Sequence, residues 1–432
     1  MDHSIEFRAD EEYAYELDEE DNLHYLRSRF YIPKNTIYMD GNSLGLLSQD
    51  AEQSLLRALE EWKTLGIGGW LEGETPWFYY AEKLGAMASV LVGAAPEEVV
   101  VTGTTTVNLH SLVATFYEPQ GACTKILADE LNFPTDLYAL QSQIELKGLS
   151  PQEHLILTPS KDGRILEEDT IVALMDETVA LTVLPSVLYR SGQLLDMEYL
   201  TQAAHERGIA IGFDCSHSVG VVPHHFDAWG VDFAFWCSYK YMNGGPGSTA
   251  FLYINEAHFN RHPAITGWFG YVKEKQFDML SQFTHAQSAG GWQISSPAIL
   301  SSAPIEGSLH ILLEAGIESI REKSLNMTSY FMYLVDTLLS DDPYLFSLGT
   351  PREKARRGGH VAVEREEEAY RICEALRMRR VIPDFRPPNV IRFAPSPLYV
   401  TYHDIWQVVQ YLKEIIDKKE YEQFSTARKA IS

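Results

Sequence analysis

The sequence predicts an α/β protein: a large unit on a mostly parallel sheet, followed by a smaller α+β unit. Three observations carry this. From about residue 65 to about residue 300, short runs rich in β-branched and aromatic residues alternate with helical patterns, as strands joined by crossover helices do. The strand runs are largely apolar, which fits a sheet covered on both faces. After residue 304 the order changes to a long helical stretch, then strand, helix, strand and helix. The chain divides accordingly into an N-terminal segment, 1–62, packing with the small unit; a large unit, 63–303; and a small unit, 304–432.

Composition narrows the function. The chain has 432 residues, enough for two domains with large cores. Its 45% hydrophobic and 22% charged content is ordinary for a globular protein. A net charge of −25 argues against nucleic acid as a partner and favours solubility. No apolar stretch reaches the roughly 18 residues of a membrane span, so no membrane partner is expected. The opening Met1-Asp2-His3-Ser4 lacks the basic-then-apolar pattern of a secretory signal, and a cytoplasmic location is expected. The cysteines, Cys123, Cys215, Cys237 and Cys373, show no CxxC spacing, so neither a metal site nor a redox pair is signalled.

Taken in order, residues 1–37 read as helical and acidic, with 10–21 as a solvated face or helix. In the loop that follows, Gly41 and Gly45 bracket Asn42 and Ser43; the exposed amide and hydroxyl suit a carboxylate, or simply a turn. Residues 49–64 are helical. The glycine-rich stretch 66–73 carries Trp70 and reads as a loop against a ligand or partner subunit. A helix over about 78–91 precedes a strand at 99–102. Thr104, Thr105 and Thr106 then collect at a helix N-terminus, where the backbone dipole favours phosphate; an N-cap cluster is the plainer alternative. Neither GxxxxGK[ST] nor GxGxxG is present. A strand at 125–128 leads to Phe133 and Asp136, the ring suited to stacking on a flat cofactor or to core packing. Another strand, 178–184, precedes Tyr189. Loops at 267–270 and 291–297 carry Trp268 and Trp292 as aromatic anchors. One long helix is predicted over about 305–339, where Leu309, Leu312, Leu313, Ile317 and Ile320 keep helical spacing. A strand at 360–363, a helix at 366–379, a strand at 390–393 and a helix at 403–418 complete the chain. Arg392, in the second of these strands, suits either a bidentate clamp on a carboxylate or a surface ion pair.

Two strand ends carry the chemistry. The run 231–237 leads through Ser238 and Tyr239 to Lys240 and a glycine-rich turn, 244–247. A lysine just past a buried strand, with glycines letting the backbone come close, suits a Schiff base to a carbonyl cofactor. The run 208–213 ends in Asp214, with His217 close behind and Lys240 26 residues later. A carboxylate there can pair with a protonated ring nitrogen, which pyridoxal phosphate needs in order to act as an electron sink. Ligands of parallel sheets bind beyond the strands' carboxyl ends, and Thr104–Thr106, Phe133, Asp214 and Lys240 all sit there.

Assembled, these residues resemble the kynureninase family, pyridoxal-5'-phosphate enzymes of the aspartate aminotransferase fold (fold type I, with a seven-stranded sheet). The likeness runs from Tyr38 to about Asp404. It rests on residues 41–46 (Gly-Asn-Ser-Leu-Gly-Leu), 106–110 (Thr-Val-Asn-Leu-His), 133–136 (Phe-Pro-Thr-Asp), 212–214 with His217, 230–234, 236–241 (Trp-Cys-Ser-Tyr-Lys-Tyr) and 267–270 (Gly-Trp-Phe-Gly). Residues 391–392, 394–395 and 397–399 close the set. The resemblance implies roles. Lys240 would carry the cofactor and move the substrate's α-proton. Asp214, supported by His217, would hold the pyridinium nitrogen, with Asp136 on the same side. Phe133 would stack on the ring. Thr105, Thr106 and Tyr239 would bind the phosphate region, with Trp268 and Ser296 reaching in from the other subunit of a homodimer. Asn42, Ser43, Trp70 and Arg392 would contact the substrate, Asn42 and Arg392 at its carboxylate. The implied reaction is hydrolytic Cβ–Cγ cleavage of L-kynurenine to anthranilate and L-alanine, with Tyr239 as proton donor or relay. Trp70 and Ser296 stand where vertebrate members carry histidine and asparagine. Both resemble the bacterial branch, which tends to prefer kynurenine over its 3-hydroxy form. A cysteine desulfurase or an aminotransferase of the same fold is the nearest alternative, and a non-catalytic relative a more distant one.

Overall fold

The structure, a computed structural model, describes residues 7–427. The N-terminal expectation for residues 1–6 therefore lies outside the described residues. The fold class is the one expected. A seven-stranded sheet is built from β1 (Val99–Val101), β2 (Lys125–Asp129), β3 (Leu155–Thr158), β4 (Val179–Pro185), β5 (Ala210–Asp214), β6 (Phe233–Trp236) and β7 (Phe251–Ile254). Their order across the sheet is β1-β7-β6-β5-β4-β2-β3. Only β7 runs against the others, pairing antiparallel with both β6 and β1. The central strands are buried almost residue for residue, because helices cover both faces.

A four-stranded antiparallel sheet forms the small unit, from β8 (Ser347–Leu348), β9 (Val361–Glu364), β10 (Asp384–Arg386) and β11 (Val390–Phe393), ordered β10-β11-β9-β8. Helices Ile317–Leu338, Ala369–Met378 and Tyr402–Asp417 accompany it. Thr401 caps the last of these with Asp404 in a capping box, and Asp18 accepts from the Tyr402 and His403 amides at 2.6 and 3.1 Å. A carboxylate beside that positive helix end ties the N-terminal helix Glu11–Glu19 to the small unit. Helix Gln49–Leu65, capped by Ser48, packs along helix Ile299–Ala315, which crosses residue 303.

Three expectations need correction. The helix foreseen at 305–339 is two helices, Ile299–Ala315 and Ile317–Leu338, broken at Gly316 with φ +75°. Apolar spacing continues through the break, but only glycine takes that backbone conformation cheaply. Residues 7–37, the described part of 1–37, are not helical throughout: beyond Glu11–Glu19 they hold a 3-10 stretch, His24–Arg29, and the start of a short strand, Ile37–Tyr38. Asp21 closes a turn on the Leu23 amide, and Asn35 sits at φ 56°, so acidic composition misled there. β3 and β7 were not foreseen; β3 is a half-exposed edge strand without a clean pattern.

Candidate active site

The carboxyl ends of β1, β2, β4, β5 and β6 converge at Lys240. Backbone bonds fix its loop: Gly244 N–H donates to Ser238 O (2.8 Å), and Asn243 N–H to Lys240 O (3.0 Å), with Asn243 at φ 57°. Ser238 Oγ, fully buried, bonds Ser248 Oγ and Thr249 O at 2.6 and 2.7 Å. From the N-terminal segment, Gly45 N–H donates to Tyr239 O at 2.7 Å. A Cβ at Gly45 would land on Lys240 O and the Asn243 amide, so glycine lets the 40–46 loop lie directly on the lysine loop.

Lys240 Nζ is 3.0 Å from His217 Nε2. Burial, reinforced by the Lys240 and Arg392 charges, holds His217 well below the usual histidine range, so its ring is neutral and can accept. Asp214, ending β5, accepts the Ser216 amide on Oδ1 at 2.8 Å. Asp136, fully buried in the first turn of helix Pro134–Leu146, lies against it. Burial and the Asp214 charge push Asp136 well above the usual carboxylate range, since two adjoining carboxylates cannot both ionise. Asp136 is thus held as the acid beside Asp214.

Thr105 and Thr106 open helix Thr105–Phe116 after β1. Thr104 makes no side-chain cap, leaving first-turn N–H groups for an anion. Phe133, half-exposed, sets its ring edge-on to Tyr189 at 5.3 Å. Burial, with the nearby Cys237 and Asp214, raises the Tyr239 phenol, so it stays protonated.

The carboxylate-site candidates differ from expectation in one respect. Asn42 is completely buried rather than exposed, and neither amide atom has a partner. Arg392 is equally buried, so the surface ion-pair alternative falls away. It pairs with Asp384, and it donates to Tyr189 O (2.5 Å) and Ser43 Oγ (3.2 Å), leaving Nε free. Trp70 ends a 3-10 turn, Gly66–Trp70, its ring 5.9 Å from Trp77 and 5.8 Å from Phe269. Trp268 and Ser296 are exposed in this chain; Trp268 packs edge-on to Phe277 at 5.8 Å.

The model of the kynureninase C-terminal domain matches residues 320–412. A kynureninase from Geobacillus thermodenitrificans (strain NG80-2) is 57% identical over 421 residues, 98% of each chain. One from Bacillus anthracis is 56% identical over 426 residues, 99% of each. The chain belongs to the kynureninase family. Among solved structures, a cysteine desulfurase from Thermococcus onnurineus NA1 matches with TM-score 0.76 at 16% identity, covering 91% of this chain and 98% of that one. A C-DES mutant with glycine covalently linked to its PLP cofactor matches with TM-score 0.74 at 15% identity, covering 92% and 99%. At such identities these two show the fold alone.

The expected class, a pyridoxal-phosphate hydrolase of carbon–carbon bonds, is that of the kynureninase family. The residues present fit that cofactor. A primary amine, an adjacent carboxylate, uncapped helix amides and a flanking aromatic ring face one region. Buried Asn42, His217 Nδ1, Arg392 Nε and Asp136 Oδ2 lack protein partners there. Buried polar groups are rarely left so unless a ligand or water meets them. Three cysteines do not suit a desulfurase of this fold: Cys215, Cys237 and Cys373 are buried, and burial raises each thiol, Cys373 to about 12; half-buried Cys123 precedes β2, at the end of the strand away from Lys240. Asp384, Tyr189 and His360 also reach the site; from the sequence Tyr189 and His360 stand only beside strands, and none of the three has a role there. Asp384 meets Arg392 only because β10 and β11 pair with these residues in register.

Proposed function

We propose that the protein hydrolyses L-kynurenine to anthranilate and L-alanine, as a homodimer in the cytoplasm. Near-full-length identity to kynureninases, together with Lys240 and Asp214 at adjoining strand ends, supports this most directly. Pyridoxal phosphate, when bound, supplies an electron sink for the α-carbanion. Lys240 would hold it covalently; Asp214 would hold its ring nitrogen, and Thr105, Thr106 and the Phe133 ring would flank it.

The chain's own groups then have distinct tasks. Arg392 Nε and the Asn42 amide bind the substrate carboxylate, with Ser43 and Asp384 orienting the guanidinium. Lys240 Nζ takes the α-proton and returns it to the product side, with neutral His217 accepting from it meanwhile. Tyr239, kept protonated, donates to the developing product. Trp70, wedged against Trp77 and Phe269, presents an apolar wall to the aryl ring. Trp268 and Ser296 serve the partner subunit's site; Trp268 and Phe277, packed together yet exposed, are apolar surface that a partner would cover.

The decisive experiment mixes cofactor-loaded protein with L-kynurenine and follows anthranilate fluorescence and L-alanine together. Equal amounts establish the reaction; neither product, with a cofactor spectrum that still responds to amino acids, replaces it by another reaction on this fold. Tyr239→Phe, measured with cofactor saturating, is expected to lower kcat about a hundredfold, as loss of one general acid does; full turnover would remove Tyr239 from the proton path. Against the Trp70 wall, an added ring hydroxyl loses hydration without gaining a partner. We expect kcat/KM for kynurenine to exceed that for 3-hydroxykynurenine about tenfold, a scale set by desolvating one hydroxyl. Equal values would show that Trp70 and Ser296 do not set ring choice.

A further inference from the structure

His360 precedes β9, after Gly358 and Gly359, and so reaches the site from the small unit. It is completely buried, and neither ring nitrogen makes a hydrogen bond of ordinary geometry, although the Arg190 carbonyl lies close. Its ring centroid is 5.9 Å from that of His217, with the planes tilted 59°. His217 has the complementary shortfall: Nε2 faces Lys240 and Nδ1 has no partner. Two buried rings just beyond direct contact, each with a nitrogen to satisfy, are the arrangement that one ordered water bridges.

The hydrogens then close in one pattern. While Lys240 carries its proton it can only donate, so His217 Nε2 accepts and Nδ1 holds the ring proton. A water between the rings would accept from Nδ1–H and donate to one nitrogen of His360, with the other His360 N–H toward the Arg190 carbonyl. The charged groups around His360 keep it neutral and so able to accept. Lys240 faces it from the large unit, Arg392 from β11 and Arg386 from β10. Asp384 engages both arginines, and the Tyr241 hydroxyl lies against the preceding Gly359. Burial first, then these cations, hold His360 at about 3, far below neutrality.

We propose that His360 is a positioning residue: from the small unit, through one shared water, it holds His217 in the tautomer that accepts from Lys240. The proposal rests on Lys240 being the cofactor's lysine. It gives the small unit a second means of acting on the lysine, besides binding substrate through Arg392.

The test compares His360→Leu, which removes both nitrogens, with His360→Gln, which keeps a donor and an acceptor. Nitrogen NMR of the histidine imidazoles in cofactor-free protein comes first. His217 is expected to hold its proton on Nδ1 in the parent and in His360→Gln, and to mix tautomers in His360→Leu. In loaded protein, the pH midpoint of the cofactor's absorbance should shift by about half a unit or more in His360→Leu, within the range that one neighbour's hydrogen bonding moves a group. kcat should fall about tenfold with KM within about twofold, the pattern of a group acting on the chemical step; His360→Gln should recover most of both. An unchanged His217 tautomer in folded His360→Leu overturns the proposal. So does a rise in KM alone, which would make His360 a substrate contact. If His360→Leu does not fold, His360→Asn, too short to reach the water, decides by the same readouts against His360→Gln. The NMR result needs no cofactor, so its failure differs from failure of the Lys240 assignment, which would appear as cofactor reductively trapped on another lysine.

Discussion

Replacing Lys240 with alanine is expected to lower kcat on the order of ten-thousandfold or more, while the protein still folds and still takes up cofactor. Two losses combine: the covalent anchor, and the base that handles the α-proton, itself worth about 10²–10⁴. Folding should survive because the loop is fixed by its backbone, through Ser238, Asn243, Gly244 and Gly45, not by the lysine side chain. Removing Nζ also frees His217 Nε2, which it meets at 3.0 Å. Borohydride treatment followed by mass spectrometry checks the anchor: the parent should retain cofactor on the peptide containing Lys240, and the variant should retain none. Small primary amines in the buffer should restore part of the turnover. Activity within about tenfold of the parent would mean that another group is the base, since a lost general base costs more than that.

The parts of this site legible in the sequence are those set by local chain geometry. A buried strand ending in a lysine before glycines, or in an aspartate with a histidine three residues on, is a short-range pattern, and β5 and β6 pair so that Asp214 faces Phe235 in register. The parallel sheet was legible for the same reason, since the central strands are largely apolar runs. What stayed hidden depends on long-range pairing. Asp384 and Arg392 are eight residues apart, and only the antiparallel register of β10 with β11 makes them partners. Asn42 looked like an exposed turn residue because the burial of its loop comes from Lys240, Asn243 and Tyr399, remote in sequence. Gly316 broke a helix whose apolar spacing gave no warning.

The Asp136–Asp214 pair yields the second large effect, because the same substitution should have very unequal consequences at its two members. Asp214→Asn is expected to reduce kcat/KM by about a hundredfold to a few thousandfold: losing the carboxylate that would pair with the cofactor's ring nitrogen costs about 3–5 kcal/mol, and each 1.4 kcal/mol is tenfold in rate. Asp136→Asn should stay within about tenfold of the parent, since the amide resembles the protonated acid that burial and Asp214 already enforce. The pair also fixes a sign in stability. With Asp136 raised in the fold, the native state binds more protons than the unfolded chain between the ordinary carboxylate value and the raised one. Its contribution is therefore fully present below that window and is lost as pH rises through it. Asp136→Asn should remove this loss, so thermal unfolding of the variant should depend less on rising pH above the ordinary carboxylate range than that of the parent. If both substitutions instead cost the same activity, Asp136 contacts the reacting groups directly and is more than a buried acid beside Asp214.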